Sequence, residues 1–113
     1  MFIAVFDVLH PIHERAAERL GRQYILAVDD LTLTTLRGGR NRGFSLHIEH
    51  FDTPDELQAD VEEKLKRRIY HGYVLTWWSA ECPWLEWLQA RECPIQRRES
   101  QPVGIQLELP IDR

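Results

Sequence analysis

Two alternating apolar runs around a glycine-rich loop restrict the fold of this chain more than any other feature. Residues 31–36 read LTLTTL, and residues 44–51 read FSLHIEHF. Because successive side chains of a strand point to opposite faces, each run predicts a strand with one apolar and one polar face. The intervening RGGRNRG, residues 37–43, predicts a connection that makes the two strands an antiparallel hairpin. The apolar face of the second strand carries Phe44, Leu46 and Ile48.

A helix signal follows directly. The sequence FDTPDE places Thr53 as the N-cap, Pro54 at the first helical position and Glu56 three residues after the cap. This is a capping box, which satisfies amides that a helix start leaves unpaired. Apolar residues every four positions then predict a buried stripe, and Gly72 predicts that the helix ends in a left-handed turn. The stripe consists of Leu57, Val61, Leu65 and Ile69.

The charges of this predicted helix are ordered along its axis. Acidic residues fill its first half, whereas KLKRR at residues 64–68 makes its last turns basic. Because this order complements the helix dipole, the basic run has an explanation that requires no ligand.

The remaining sequence completes an α+β fold. MFIAVFDV at residues 1–8 and RQYILAV at residues 22–28 predict two further strands. We expect a small antiparallel sheet with one main helix, at about 54–71, packed on it, plus a short Trp-rich helical segment. A length of 113 residues suits a single domain, residues 1–96, followed by a tail or terminal strand at 97–113.

The Trp-rich segment, residues 75–93, holds four tryptophans within eleven positions. Ser79 is a candidate N-cap for a short amphipathic helix that folds back to complete a small core, and a partner-binding groove is the alternative. Trp77 and Trp78 are adjacent on a predicted strand and must point to opposite sides. An exposed member of this pair would be a candidate contact for nucleic acid or protein.

Charge and cysteine content narrow the class of protein. The formal net charge of −4 and an isoelectric point of about 5.7 argue against a general polyanion binder, so any nucleic-acid contact must be local. The opening MFIAVFDVL has no basic lead and is too short for a signal peptide or a membrane span. We expect a cytoplasmic protein with no membrane partner, in which both cysteines are reduced.

No set of residues predicts an active site. His47 and Glu49 share one strand face while His50 faces the other, so the three do not converge on a metal. Cys82 and Cys93 lack the second pair of a zinc site. The chain also lacks a nucleotide-binding or nucleophile motif. The sequence therefore predicts a non-catalytic protein without a metal or cofactor.

The loop itself is open to two interpretations. LRGGRNRG, residues 36–43, places three arginines and three glycines in eight positions. One interpretation is a solvated hairpin turn, since glycines allow a tight turn in any protein. The other is a basic loop that binds phosphate through arginines and backbone amides.

From Arg22 to Val74 the sequence resembles the Trp-Gly-Arg (WGR) domain, which occurs in poly(ADP-ribose) polymerases and in many bacterial proteins. The family's tryptophan position holds Gly38 here, so the aromatic surface that gives the domain its name is missing. The residues that carry the resemblance are Tyr24, Gly39 with Arg40 and Gly43, His50 to Thr53, and Gly72 with Tyr73.

The resemblance implies a small sheet with one helix packed across it, and a loop that contacts nucleic acid at DNA ends or breaks. Without the tryptophan, charge and backbone amides would position a phosphate backbone without reading its sequence. The implied function is an accessory role in DNA repair or replication, and a preference for DNA or RNA is left open. The candidate nucleic-acid-binding residues are Arg37, Gly39, Arg40, Arg42, Lys66 and Arg67.

The C-terminal QLELPI resembles the short peptide by which bacterial DNA polymerases and repair proteins dock on the sliding clamp. An extended segment can offer the Gln106 amide to polar groups while Leu107, Leu109 and Ile111 enter apolar pockets. The alternative is a final strand, because apolar residues alternate from 105 to 111. The competing functional class is therefore a protein-interaction module that acts through the Trp-rich segment and this tail.

Overall fold

The computed structural model describes residues 1–9, 21–39 and 43–98. They form an antiparallel sheet of five strands in the order β4-β3-β2-β1-β5, with two helices, which confirms the expected α+β class. The elements are β1 (Phe2–Asp7), β2 (Arg22–Asp29), β3 (Thr32–Gly39), β4 (Gly43–His50), α1 (Pro54–Tyr70), β5 (Val74–Trp78) and α2 (Leu85–Ala90). No helix in these three ranges is long and apolar enough to cross a membrane.

The main core lies between one face of the sheet and the two helices. Alternate residues of β1 and β2, such as Phe6 and Leu26, are fully buried against Val61 and Leu65 of α1. Trp84 and Leu88 of the Trp-rich segment belong to the same cluster. This bears out the expectation that the segment folds back to complete the core.

The helix α1 begins as its sequence predicts. The Thr53 hydroxyl accepts a hydrogen bond from the Glu56 amide at 3.2 Å, and Pro54 occupies the first turn. After Tyr70 the chain turns through Gly72, whose φ of +84° favours glycine.

The buried stripe of α1 departs from the predicted one at its last member. Arg68 is buried in place of Ile69, which is only half-buried at the edge of the core. Eleven residues complete about three helical turns, so Arg68 lies almost directly in line with Leu57, whereas a spacing of twelve rotates Ile69 away. A strict interval of four was therefore the wrong period.

The second face of the sheet carries a smaller apolar cluster. Val5, Ile25 and Leu36 lie side by side across β1, β2 and β3, and Trp77 packs against them. Trp78 packs instead against the main core. The prediction that the two adjacent tryptophans point to opposite sides is confirmed, and both are half-buried.

The predicted role of Ser79 is wrong. The N-cap of α2 is Trp84, which makes no side-chain capping hydrogen bond. Ser79 directly follows β5 and lies beside β1, where its hydroxyl accepts from the Ile3 amide at 3.0 Å. It extends the sheet pairing rather than starting the helix.

The outer edge of β5 is covered by the segment that follows α2. The Leu75 amide donates to the Pro94 carbonyl, and the Gln96 and Arg98 amides donate to the carbonyls of Leu75 and Thr76. The strand β4 forms the opposite edge. The predicted docking peptide or terminal strand, including Gln106, Leu107, Leu109 and Ile111, lies outside the described residues.

Candidate nucleic-acid interface

The base of the arginine-rich loop is a close approach of β3 and β4. Gly39 is paired with Gly43, and Gly43 has a φ of +67°. A Cβ atom at Gly38 would collide with the Gly43 carbonyl oxygen and would lie 3.0 Å from the Phe44 Cα. Because these are backbone atoms, no side chain fits at Gly38. The absence of a tryptophan at this position is therefore a steric requirement of this hairpin.

Arg37 is the one predicted loop arginine that the described residues include. It is exposed, and the strand register places it between Tyr24 on β2 and Ser45 on β4. Paired residues of neighbouring strands share a face, so Arg37 lies on the face that α1 covers. Arg40 and Arg42 lie outside the described residues.

Arg68 of α1 meets this face beside Arg37. Its guanidinium carbon lies 4.3 Å from the ring centre of Tyr24 and 5.2 Å from that of Tyr73, and only 5% of the residue is exposed. The Arg68 Nε is buried without a hydrogen-bond partner. Stacking on two aromatic rings therefore takes the place of the carboxylate that usually accompanies a buried arginine.

The electrostatics of this corner are positive. Burial lowers the pKa of Arg68, and the charges of Arg37 and Arg67 lower it further, so the three side chains act on one another. An arginine nevertheless stays protonated at neutral pH. Within the described ranges, no carboxylate forms an ion pair with Arg37 or Arg68. We call Arg37, Arg67 and Arg68 the basic corner.

The other predicted helix residues differ in their surroundings. Arg67 is exposed and lies 3.8 Å from Glu63, a pair too solvated to neutralise it strongly. Lys66 is also exposed, and no described residue of the hairpin forms an ion pair with it. Gly39 is buried at the end of β3 and contributes backbone only.

Lys64 has a structural role instead. Its ammonium group lies 2.6 Å from an Asp60 carboxylate oxygen and 3.0 Å from one of Glu49, so it ties α1 to β4. The net effect raises its pKa, because the two carboxylates outweigh the opposing effect of burial. These two carboxylates largely neutralise the charge of Lys64, which therefore adds little to the positive potential at the end of α1.

Sequence reasoning missed Arg68, although it found Arg37 and Arg67. The residue is hidden in the KLKRR run, where every cation is compatible with a solvated helix end. The helical period is the one signal that distinguishes it, because Arg68 continues the buried stripe of Leu57, Val61 and Leu65.

The other residues weighed for chemistry do not form a second site. His47 Nε2 lies 3.3 Å from Glu49 Oε1 on one face of β4, while His50 contacts the Thr32 hydroxyl at 3.1 Å. Burial raises the pKa of the Cys82 thiol and raises that of Cys93 to about 11, so both are poor nucleophiles at neutral pH. Among residues 1–9, 21–39 and 43–98, no three potential ligands gather to hold a metal.

Comparison with protein families, with curated proteins and with solved structures finds no significant match to this chain. Any proposal about function therefore rests on the residues of the basic corner and not on a related protein.

Proposed function

We propose that the protein is a small, non-catalytic, WGR-like accessory protein that binds nucleic acid, most simply DNA, in cytoplasmic repair or replication. The observation that carries this proposal is the basic corner, in which exposed Arg37 stands at the base of the arginine-rich loop beside buried Arg68. Arg37 is paired with Tyr24, and Arg68 stacks on the Tyr24 ring, so two basic residues that are 31 positions apart in the sequence meet at one side chain.

The charge arrangement suits a phosphate backbone. The chain as a whole carries −4, which repels a polyanion, so binding requires a local concentration of positive charge. Arg37 and Arg67 are exposed and can contact phosphate directly. Arg68 is too buried to touch a ligand, but its charge adds to the potential at the same surface.

The test is fluorescence anisotropy with single-stranded, blunt and nicked DNA at low and moderate salt. Arg37→Ala should weaken binding by about 1 kcal/mol and lower the salt slope by about one, because one charge-assisted contact is lost. Arg40→Ala should act similarly. Arg91→Ala is the matched control, since it removes one positive charge from the Trp-rich segment, where Arg91 stacks on Trp87. No binding of the wild-type protein to any DNA at low salt would end the proposal.

Arg68→Met separates function from folding. A buried charge without a carboxylate is expensive, so an apolar side chain of similar length should fold with equal or greater stability. Binding should nevertheless weaken, and by less than in Arg37→Ala. A variant that is markedly less stable and binds DNA normally would show that Arg68 serves the fold alone.

Protein interaction through the Trp-rich segment and tail is the second candidate. A largely apolar depression of about 490 Å³ lies beside Trp84 and includes Met1, Phe2 and Cys82 in its lining. We propose that residues 106–111 dock on a bacterial sliding clamp with micromolar affinity. The combined changes Gln106→Ala and Leu109→Ala should abolish clamp binding by the whole protein, whereas Val103→Ala, outside QLELPI, should leave it intact. Equal binding of both variants would reject the assignment.

A further inference from the structure

The strand β4 presents an open hydrogen-bonding edge. The Phe51 amide donates to the Leu31 carbonyl at 2.9 Å, and the β3–β4 register continues this pairing. Antiparallel strands direct the backbone groups of alternate residues toward the neighbouring strand. Residues 45, 47 and 49 therefore bond to β3, whereas the amides and carbonyls of Phe44, Leu46 and Ile48 point away from it. None of the described residues pairs with that outer edge.

The same three residues form an exposed apolar row. Phe44, Leu46 and Ile48 are 44%, 49% and 42% exposed, although they extend the face on which Leu36 is buried. Edge strands of soluble proteins are usually protected by lysine, proline or a bulge. The sequence of β4, GFSLHIEH, contains neither lysine nor proline, and its register with β3 is continuous.

We propose that β4 pairs with β4 of a second copy of this chain, in antiparallel orientation about a two-fold axis at Leu46. The edge is self-complementary, because an inverted copy presents its donors and acceptors in the matching order. With Leu46 opposite its own copy, Phe44 lies opposite Ile48 of the second molecule, which is a favourable aromatic–aliphatic pair. The five-stranded sheet then becomes one of ten strands, and the apolar row is covered on both copies.

The placement of polar and charged residues is compatible with the same register. Ser45 lies opposite His47 of the second copy, where a hydrogen bond can form, and Glu49 lies opposite Gly43. The two Glu49 carboxylates thus stand at opposite ends of the paired strands, and each is already matched by Lys64 at 3.0 Å. The overall charge of −4 per molecule is not concentrated on this edge, so it opposes association only weakly.

Sedimentation equilibrium of the whole protein tests the proposal. The wild-type protein should be a dimer at about 100 µM, and Leu46→Lys should raise the dimer dissociation constant at least about 100-fold, because two lysines would meet at the axis. Tyr70→Lys is the matched control, since it replaces another exposed apolar side chain, 79% exposed on α1, and should leave the dimer intact. A monomeric wild-type protein would overturn the proposal, including the case in which residues 105–111 of the same chain occupy the edge.

Cysteine cross-linking tests the register and does not depend on how Leu46→Lys folds. Paired residues at the axis have Cα atoms about 5.5 Å apart, within the range for a disulfide. Leu46→Cys should therefore form a 46–46 disulfide between copies, identified by peptide mapping. Phe44→Cys should not, because its two copies would be about 14 Å apart along the paired strands. The wild-type protein controls for Cys82 and Cys93, and a Leu46→Cys protein that forms no 46–46 link would refute the arrangement.

Discussion

The two edges of the sheet have different surroundings. The strand β5 is closed: residues 94–98 hydrogen bond along its backbone, and the Arg97 guanidinium stacks 3.8 Å from the Trp78 ring centre. No described residue pairs with the outer edge of β4, and seven of the eight residues of this strand are exposed.

Side chains reinforce the closed edge. The carboxylate of Asp7 accepts hydrogen bonds from Gln23 at 3.0 Å, from Thr76 and from Arg98 at 3.1 Å. Asp7 and Thr76 are both buried, so the Thr76 hydroxyl would lose this acceptor in a site of low dielectric constant if the carboxylate were removed. At the open edge, by contrast, the polar contacts of His47 and His50 are exposed. We infer that the closed edge contributes to stability, whereas the open edge is available for binding.

The largest expected effect is on the hairpin that carries the open edge. Gly38→Ala should lower the free energy of unfolding by about 3 kcal/mol, because its Cβ can be accommodated only if β3 and β4 separate. Gly39→Ala is the neighbouring control, since its Cβ would lie 3.5 Å from the Gly21 carbonyl oxygen, which is ordinary contact. Urea denaturation of the two variants measures the difference. Similar midpoints would mean that the strands are not held at this separation.

Removal of the carboxylate at the closed edge should have the next largest effect. Asp7→Ala should cost about 2 kcal/mol in urea denaturation, because the buried Thr76 hydroxyl and the Arg98 guanidinium lose their shared acceptor. At the open edge, His50→Ala removes only an exposed contact with Thr32 and should cost less than about 0.5 kcal/mol. Equal stability of the two variants would contradict the inference that the closed edge contributes more to stability than the open edge.

The stability of the protein should fall at alkaline pH because of Cys93, which directly precedes residues 94–98 at the closed edge. Burial raises the pKa of Cys93 to about 11 from a usual value of 9.0, so the folded protein holds this proton more tightly than the unfolded chain. This contribution to stability is complete below pH 9.0 and is lost as the pH rises through about 11, by an amount of about 2 kcal/mol. Burial also raises the pKa of Tyr24, which adds to the decline at high pH.

Thermal unfolding between pH 8 and pH 11 measures this dependence. Cys93→Ala should flatten part of the decline, whereas Cys82→Ala, at a half-buried thiol, should flatten it less. Because either variant also alters packing, the informative quantity is the slope with pH and not the stability at one pH. An unchanged slope in Cys93→Ala would contradict the assignment.

Local signals in the sequence predicted most of the secondary structure. The capping box at Thr53 set the start of α1, and the alternating runs gave the strands of the β3–β4 hairpin. The predicted polar face of β3 was wrong, because Thr34 and Leu36 on that face are buried. The binding site stays a prediction: Arg37 is exposed as its proposed role requires, while the sequence pattern did not single out Arg68. The role given to Ser79 was wrong because a serine that follows a strand resembles one that precedes a helix.

The sequence by itself determined where helices and strands form, because capping and periodicity depend on residues only a few positions apart. Only the tertiary structure decided the position of Arg68 between Tyr24 and Tyr73, and which edge of the sheet is covered. Those outcomes depend on contacts between residues distant in the chain, as between Tyr24 and α1 or between β5 and residues 94–98. An alternating strand has the same sequence pattern whether its outer edge is paired or open. Its side chains point to the two faces of the sheet, whereas its backbone amides and carbonyls form the edge.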